Sequence, residues 1–160
     1  MYQFDKLLEK DISAYEGRHD DLIYQAPELY RLLTKMLDDP ILPIRLRPIV
    51  ISAVAYFILP NDIIPEELHG LYGYVDDIFL SAFVADLVRN EIGSNEILLN
   101  NWDGEADIVS LIGEILSKEE ELIRDQKKRI LGYIGYEHLI SCCGKLPGYG
   151  LAEVFLARSL

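Results

Sequence analysis

The chain is written almost throughout in a helical period. Residues 2–16 place Tyr2, Leu7, Leu8, Ile12 and Tyr15 on one stripe, and Gly17 closes the segment. A second helix is predicted from Pro27, which suits a first turn, through Leu29, Leu32, Leu33 and Met36 to the stop at Asp38-Asp39-Pro40. A third runs from Pro43 or Pro48 to Leu59, where Pro60 bars continuation. The fourth, Tyr74 to Glu91, is apolar nearly all round (Val75, Ile78, Phe79, Leu80, Phe83, Val84, Leu87, Val88), the pattern of a centrally packed helix, and Gly93-Ser94 ends it. A short amphipathic piece, Glu96 to Trp102, precedes one or two long helices over 105–143, with a break at Ser117, whose spacing to Glu120 is that of a capping box. A loop over 144–150 and a last short helix over 151–160 complete the pattern. No hairpin dipeptide sits between alternating runs, so no strand is predicted. The expectation is one all-α domain over residues 1–160, a compact bundle of five to seven helices around a central antiparallel helical hairpin.

Composition narrows the class. Half of the residues are hydrophobic, enough for a continuous core and too many for a disordered chain. Fifteen basic against 27 acidic residues leave a net charge of −12. That balance opposes duplex nucleic acid and anionic membrane surfaces, and favours cations or a basic protein partner. The adjacent Cys142 and Cys143 cannot close a useful loop, so the chain reads as reduced and cytoplasmic. The N-terminus has no basic segment followed by an apolar one and reads as lacking a signal peptide. The uncharged run from Pro48 to Leu59 falls short of the roughly 20 residues of a membrane span, and Asp76, Asp77 and Asp86 interrupt the run from Val75 to Val88.

The chemistry concentrates between the third and fourth helices. There the chain reads Tyr56-Phe57-Ile58-Leu59-Pro60-Asn61-Asp62-Ile63-Ile64-Pro65-Glu66, then Gly70-Leu71-Tyr72-Gly73-Tyr74-Val75-Asp76-Asp77. This segment resembles the YkvA-like family, whose pattern is Pro-x-Asp-x-Ile-Pro-Asp followed by Gly-x-x-Asp-Asp opening an apolar helix. Glu66 departs from it where the family has Asp, and residues 1–40 and 95–160 lie outside it. The resemblance implies a domain of unknown function.

Read as residues, Asp62, Glu66, Asp76 and Asp77 fall at one end of the hairpin, and two roles stand open for them. They can accept backbone N–H groups at the fourth helix's N-terminus, aided by its dipole, and so fix the turn. Alternatively, they can gather round a hard divalent cation, Mg²⁺ or Mn²⁺, that prefers oxygen ligands. An antiparallel hairpin also sets Arg47 opposite Asp86, an expected structural ion pair with Arg45 as alternate. His69 in the same loop is a candidate base or nitrogen ligand. His138 and Cys142 share a helix face at a spacing zinc can use, but no second pair of ligands is apparent, and Cys143 reads as a small core residue. Phosphate loops, nucleophile elbows and dinucleotide fingerprints are absent from the sequence. Ten tyrosines suit amphipathic packing.

Two functions follow. The favoured one is a non-enzymatic interaction or scaffold module with a protein partner or its own copies. The alternative is a cation-dependent enzyme, such as a hydrolase of a phosphorylated substrate, with the four carboxylates holding the metal and His69 as base.

Overall fold

The computed structural model describes residues 4–59 and 73–135. In chain order they form α1 (Phe4–Ile12), α2 (Asp20–Ile23), α3 (Ala26–Asp38), a 3₁₀ turn (Ile44–Leu46), α4 (Arg47–Ile58), α5 (Val75–Ile92), α6 (Glu96–Asn101), α7 (Ile108–Ser117), α8 (Glu119–Leu122), a second 3₁₀ turn (Arg124–Gln126) and α9 (Lys127–Tyr133). The all-α class holds, with no strand among the described residues.

Local stereochemistry explains most helix ends. Pro27 lies in the first turn of α3, where a missing N–H costs nothing. At its other end Asp39 turns extended, and its side chain accepts the Ile41 N–H at 2.8 Å, closing an Asx-type turn. Leu59, before Pro60, is extended at φ −78° and ψ 134°, as a residue preceding proline should be, and α4 stops there. Gly93 caps α5 in the left-handed region at φ 75°, its N–H bonded to the Arg89 carbonyl at 2.9 Å.

The core is organised around α5. It packs against α2, α3, α4, α6, α7, α8 and α9, which accounts for its apolar residues on every side. Ile78, Phe79, Val84 and Val88 are wholly buried, each contributing about 1.5–3 kcal/mol, and Ala85 is buried beside them. Helix α3 lies beside both α4 and α5, and α1 covers α3. The α1–α3 seam is polar at one point. There the Arg31 guanidinium donates to Glu9 at 2.5 Å, to Asp5 at 3.3 Å and to Glu28. Partial burial opposes that charge, but the bonds to Glu28 and Glu9 outweigh it and hold the group above its ordinary pKa.

The C-terminal half departs from expectation. One or two long helices become α7, α8 and α9, separated at Lys118 and at Arg124, a non-glycine residue in the left-handed region at φ 51°. Ser117 does mark a break, yet as the last residue of α7: its hydroxyl donates back to the Glu114 carbonyl at 2.7 Å, and no capping box forms. The N-cap of α7 is Asp107, which accepts the Ser110 N–H at 2.8 Å. Helix α2 is a single turn in what reads as loop, entered through His19 at φ 57°. Glu121 of α8 ties down that entrance, 3.2 Å from His19 and 3.3 Å from Arg18.

Candidate functional site: the α4–α5 hairpin

Two side-chain contacts fix α4 and α5 as antiparallel neighbours. At one end the Tyr56 hydroxyl donates to the Asp76 carboxylate at 2.6 Å, and at the other Arg45 meets Glu91 at 3.3 Å. The first lies inside the core: Asp76 is 0% and Asp77 1% exposed, and Tyr56 is buried. Both aspartates belong to the first turn of α5, where the positive end of the helix dipole favours a carboxylate. One turn on, the Ser81 hydroxyl donates to the Asp77 backbone carbonyl at 2.7 Å. Neighbouring rings hold the tyrosine in place. Tyr56 meets Tyr133 of α9 edge-to-face at 5.0 Å, and next to it Phe57 meets Tyr30 of α3 at 5.5 Å. Burial, and after it the charge of Asp5, pushes the Tyr30 phenol above its ordinary pKa.

Asp76 and Asp77 thus stand where the motif predicts, at the loop end of the hairpin. Asp62, Glu66 and His69 lie outside the described residues, as do His138, Cys142 and Cys143. Among the described residues, no group of three or more His, Cys, Asp or Glu side chains gathers as metal ligands would.

The Arg47–Asp86 pair does not form. Arg47 donates to the Leu37 carbonyl at the end of α3, at 2.6 Å. Asp86 takes Arg89 at 2.8 Å and Asn90 at 3.0 Å on its own helix, partners already held three and four residues away. Arg45, the alternate, reaches Glu91 one turn further along. The antiparallel register is as expected, while the partners differ.

Tyr56 was legible as part of the motif but carried no assigned role; its spacing to Asp76 across an antiparallel turn was the available signal. Along α4 and the turn before it, Ile44, Ile51 and Ile58 recur seven apart and point outward, 84%, 53% and 53% exposed, with exposed Pro48 and half-buried Ala55 between them. The hydroxyl of neighbouring Ser52 donates to the Pro48 carbonyl at 2.8 Å, so its polarity is spent locally. The opposite face (Ile49, Val50, Ala53, Tyr56, Phe57) fills the core. Helix α4 is therefore apolar on both its buried and its outward side. A shallow groove of about 470 Å³ lies elsewhere, between the end of α3 and α6. Its Asp39 carboxylate is engaged by the Ile41 N–H and the Asn101 amide.

A curated protein of Methanothermobacter thermautotrophicus, "Uncharacterized protein ORF9", is 31% identical over 132 residues, covering 82% of this chain and 90% of its own length. The chain belongs to the family of that protein. Within this family member, residues 47–83 match the model described as "Protein of unknown function (DUF1232)". The matched segment takes in α4, residues 59–74 and the first half of α5, so it contains Tyr56, Asp62, Glu66, Asp76 and Asp77 together. No solved structure matches the chain. Among the described residues, no helix is long and apolar enough to cross a membrane.

Proposed function

We propose that this family member is a non-enzymatic interaction module of the cytoplasm, in which the α4–α5 hairpin is a rigid platform and the outward face of α4 is the contact surface. One observation carries the reading: α4 and the 3₁₀ turn before it keep three isoleucines, Ile44, Ile51 and Ile58, on the solvent side. Burying an isoleucine is worth about 1.5–3 kcal/mol, so such a face on an otherwise acidic surface points to a protein that covers it. On this reading the buried motif residues serve rigidity. The Tyr56–Asp76 bond locks the α5 N-terminus to the α4 C-terminus.

The test is photocrosslinking in cells from a reactive side chain placed at position 51, with exposed position 105 as control. A protein adduct from position 51 and none from position 105 is expected. Absence of an adduct at 51, or equal adducts at both positions, would refute the module.

The competing assignment makes Asp62, Glu66, Asp76 and Asp77 a Mg²⁺ or Mn²⁺ centre of a hydrolase. The two adjacent carboxylates buried at the head of α5 are what favour it. A cation that binds only the folded state raises Tm with concentration. A Mn²⁺-dependent rise that is lost in an Asp76→Asn/Asp77→Asn double variant would establish that reading in place of the module.

A further inference from the structure

We infer that the partner on the outward face of α4 is a second copy of this chain, docked helix against antiparallel helix about a two-fold axis through Ile51. The inference rests on the interaction-module reading and names its partner. The spacing makes the face its own complement. Ile44 and Ile58 stand seven residues either side of Ile51, so the two-fold sets Ile51 on Ile51 and Ile44 of each copy on Ile58 of the other. Between them, Pro48 meets the small Ala55. On α4 itself Pro48, Ile51, Ala55 and Ile58 are spaced 3-4-3, the spacing at which one helix packs along another, and Ile44 of the 3₁₀ turn continues the row.

Charge selects the same face. Two chains of net charge −12 repel, and they can approach only where carboxylates are few. Helix α4 contains no acidic residue. Among the described residues, the charges beside the seam are Arg45, paired with the nearly buried Glu91, and Arg47, turned to the Leu37 carbonyl. In the antiparallel arrangement Arg45 lands beside the partner's α4 C-terminus, the negative end of that helix dipole. The seam supplies the apolar centre of such an interface, and surrounding polar surface must supply the rest of its area. The exposed parts of the seam offer on the order of 400 Å² of apolar surface per copy, about half of each side of a standard interface, leaving the rest to a polar rim.

Sedimentation velocity over a concentration series tests the inference. The weight-average mass should climb from 18.3 kDa toward twice that value. Ile51→Lys should hold it at the single-chain mass, with unchanged circular dichroism because the side chain is half exposed. Leu99→Lys, an equally exposed apolar position on α6, should leave association intact. A wild-type monomer throughout overturns the dimer, as does association that survives Ile51→Lys or is lost equally in Leu99→Lys. Two further results overturn it in favour of another occupant: an adduct from position 51 confined to residues 136–160 of the same chain, or Ile51-dependent co-sedimentation with phosphatidylcholine vesicles. A monomer whose position 51 crosslinks only to a different protein refutes self-association and leaves the interaction module standing.

Discussion

Replacing Tyr56 by phenylalanine removes one hydroxyl from the centre of the hairpin and little else. The ring stays, and with it the edge-to-face contact with Tyr133 and the fill of the core. What goes is the 2.6 Å bond to Asp76, a length within the range of about 2.5–2.7 Å typical of a hydroxyl donating to a carboxylate. Both groups are out of water, so no solvent donor replaces the phenol. Hydrogen bonds to charged groups contribute about 1.5–3 kcal/mol net, and Tyr56→Phe should destabilise the chain by that amount. At about 2–4 °C per kcal/mol for a domain of this size, Tm should fall by about 3–12 °C. Urea unfolding followed by circular dichroism is the assay, and the midpoint should move with an unchanged slope. A double-mutant cycle then isolates the pair: Asp76→Ala should cost at least about 1 kcal/mol less in the Tyr56→Phe background than in wild type. A Tyr56→Phe effect below about 0.5 kcal/mol, or additivity within that margin, would refute the role assigned to this bond as the lock of the hairpin.

Arg31→Met should cost about 2–3 kcal/mol in the same assay, since Asp5, 4% exposed, loses its cation while Glu9 and Glu28 lose their shared partner. Arg31→Lys should restore only part of this, because an ammonium cannot fork to three carboxylates; full recovery would show that charge alone matters. Gly93→Ala should cost about 1–2 kcal/mol through its left-handed φ of 75°, and since nothing lies within 4 Å of an added Cβ, no steric term should add to it. The Ser110 N–H holds the Asp107 carboxyl below its ordinary pKa. A lowered folded-state pKa means that the stabilisation is complete above the unfolded value and is lost as pH falls through the folded one. The stability difference between wild type and Asp107→Ala should therefore be level near neutrality and shrink in acid; urea midpoints from pH 7 to pH 3 check it, and a gap that widens in acid contradicts the assignment.

What the sequence disclosed follows from where each determinant lies. Pro27, Asp39, Pro60 and Gly93 act on their own backbone or their neighbour's, so the bounds of α3, α4 and α5 could be read residue by residue. The unbroken apolar circumference of α5 likewise announced its central place. The C-terminal breaks were hidden because Lys118 and Arg124 carry no turn signal, and Arg124 takes φ 51° without being a glycine or asparagine. Helix α2 is too short to show a period. At the site, the hairpin and the place of Asp76 and Asp77 at its end were legible from the motif, while their burial and the ion pairing were not. Arg47 chose between a carboxylate on α5 and a carbonyl at the end of α3, and that choice depends on how three helices meet. Asp86 could have been assigned from Arg89 and Asn90, three and four residues on. The outward isoleucines carry no such signal, because on a helix this apolar the hydrophobic pattern does not distinguish the buried face from the exposed one.

The segment matching the family model ends at residue 83, midway along α5, whereas the surfaces that cover α5 come from both sides of the match, from α2 and α3 before it and from α6 to α9 after it. A peptide cut to 47–83 would carry the most apolar stretches of the chain with only the α4–α5 contact and none of the other helices that shelter them. It should aggregate rather than fold. For the same reason, opening any layer of the intact protein exposes α5, so the slowest-exchanging amides should cluster on that helix and share one opening free energy equal to that of global unfolding. The recurring sequence unit and the cooperative folding unit are therefore different objects here, and only the second can be moved into another protein intact.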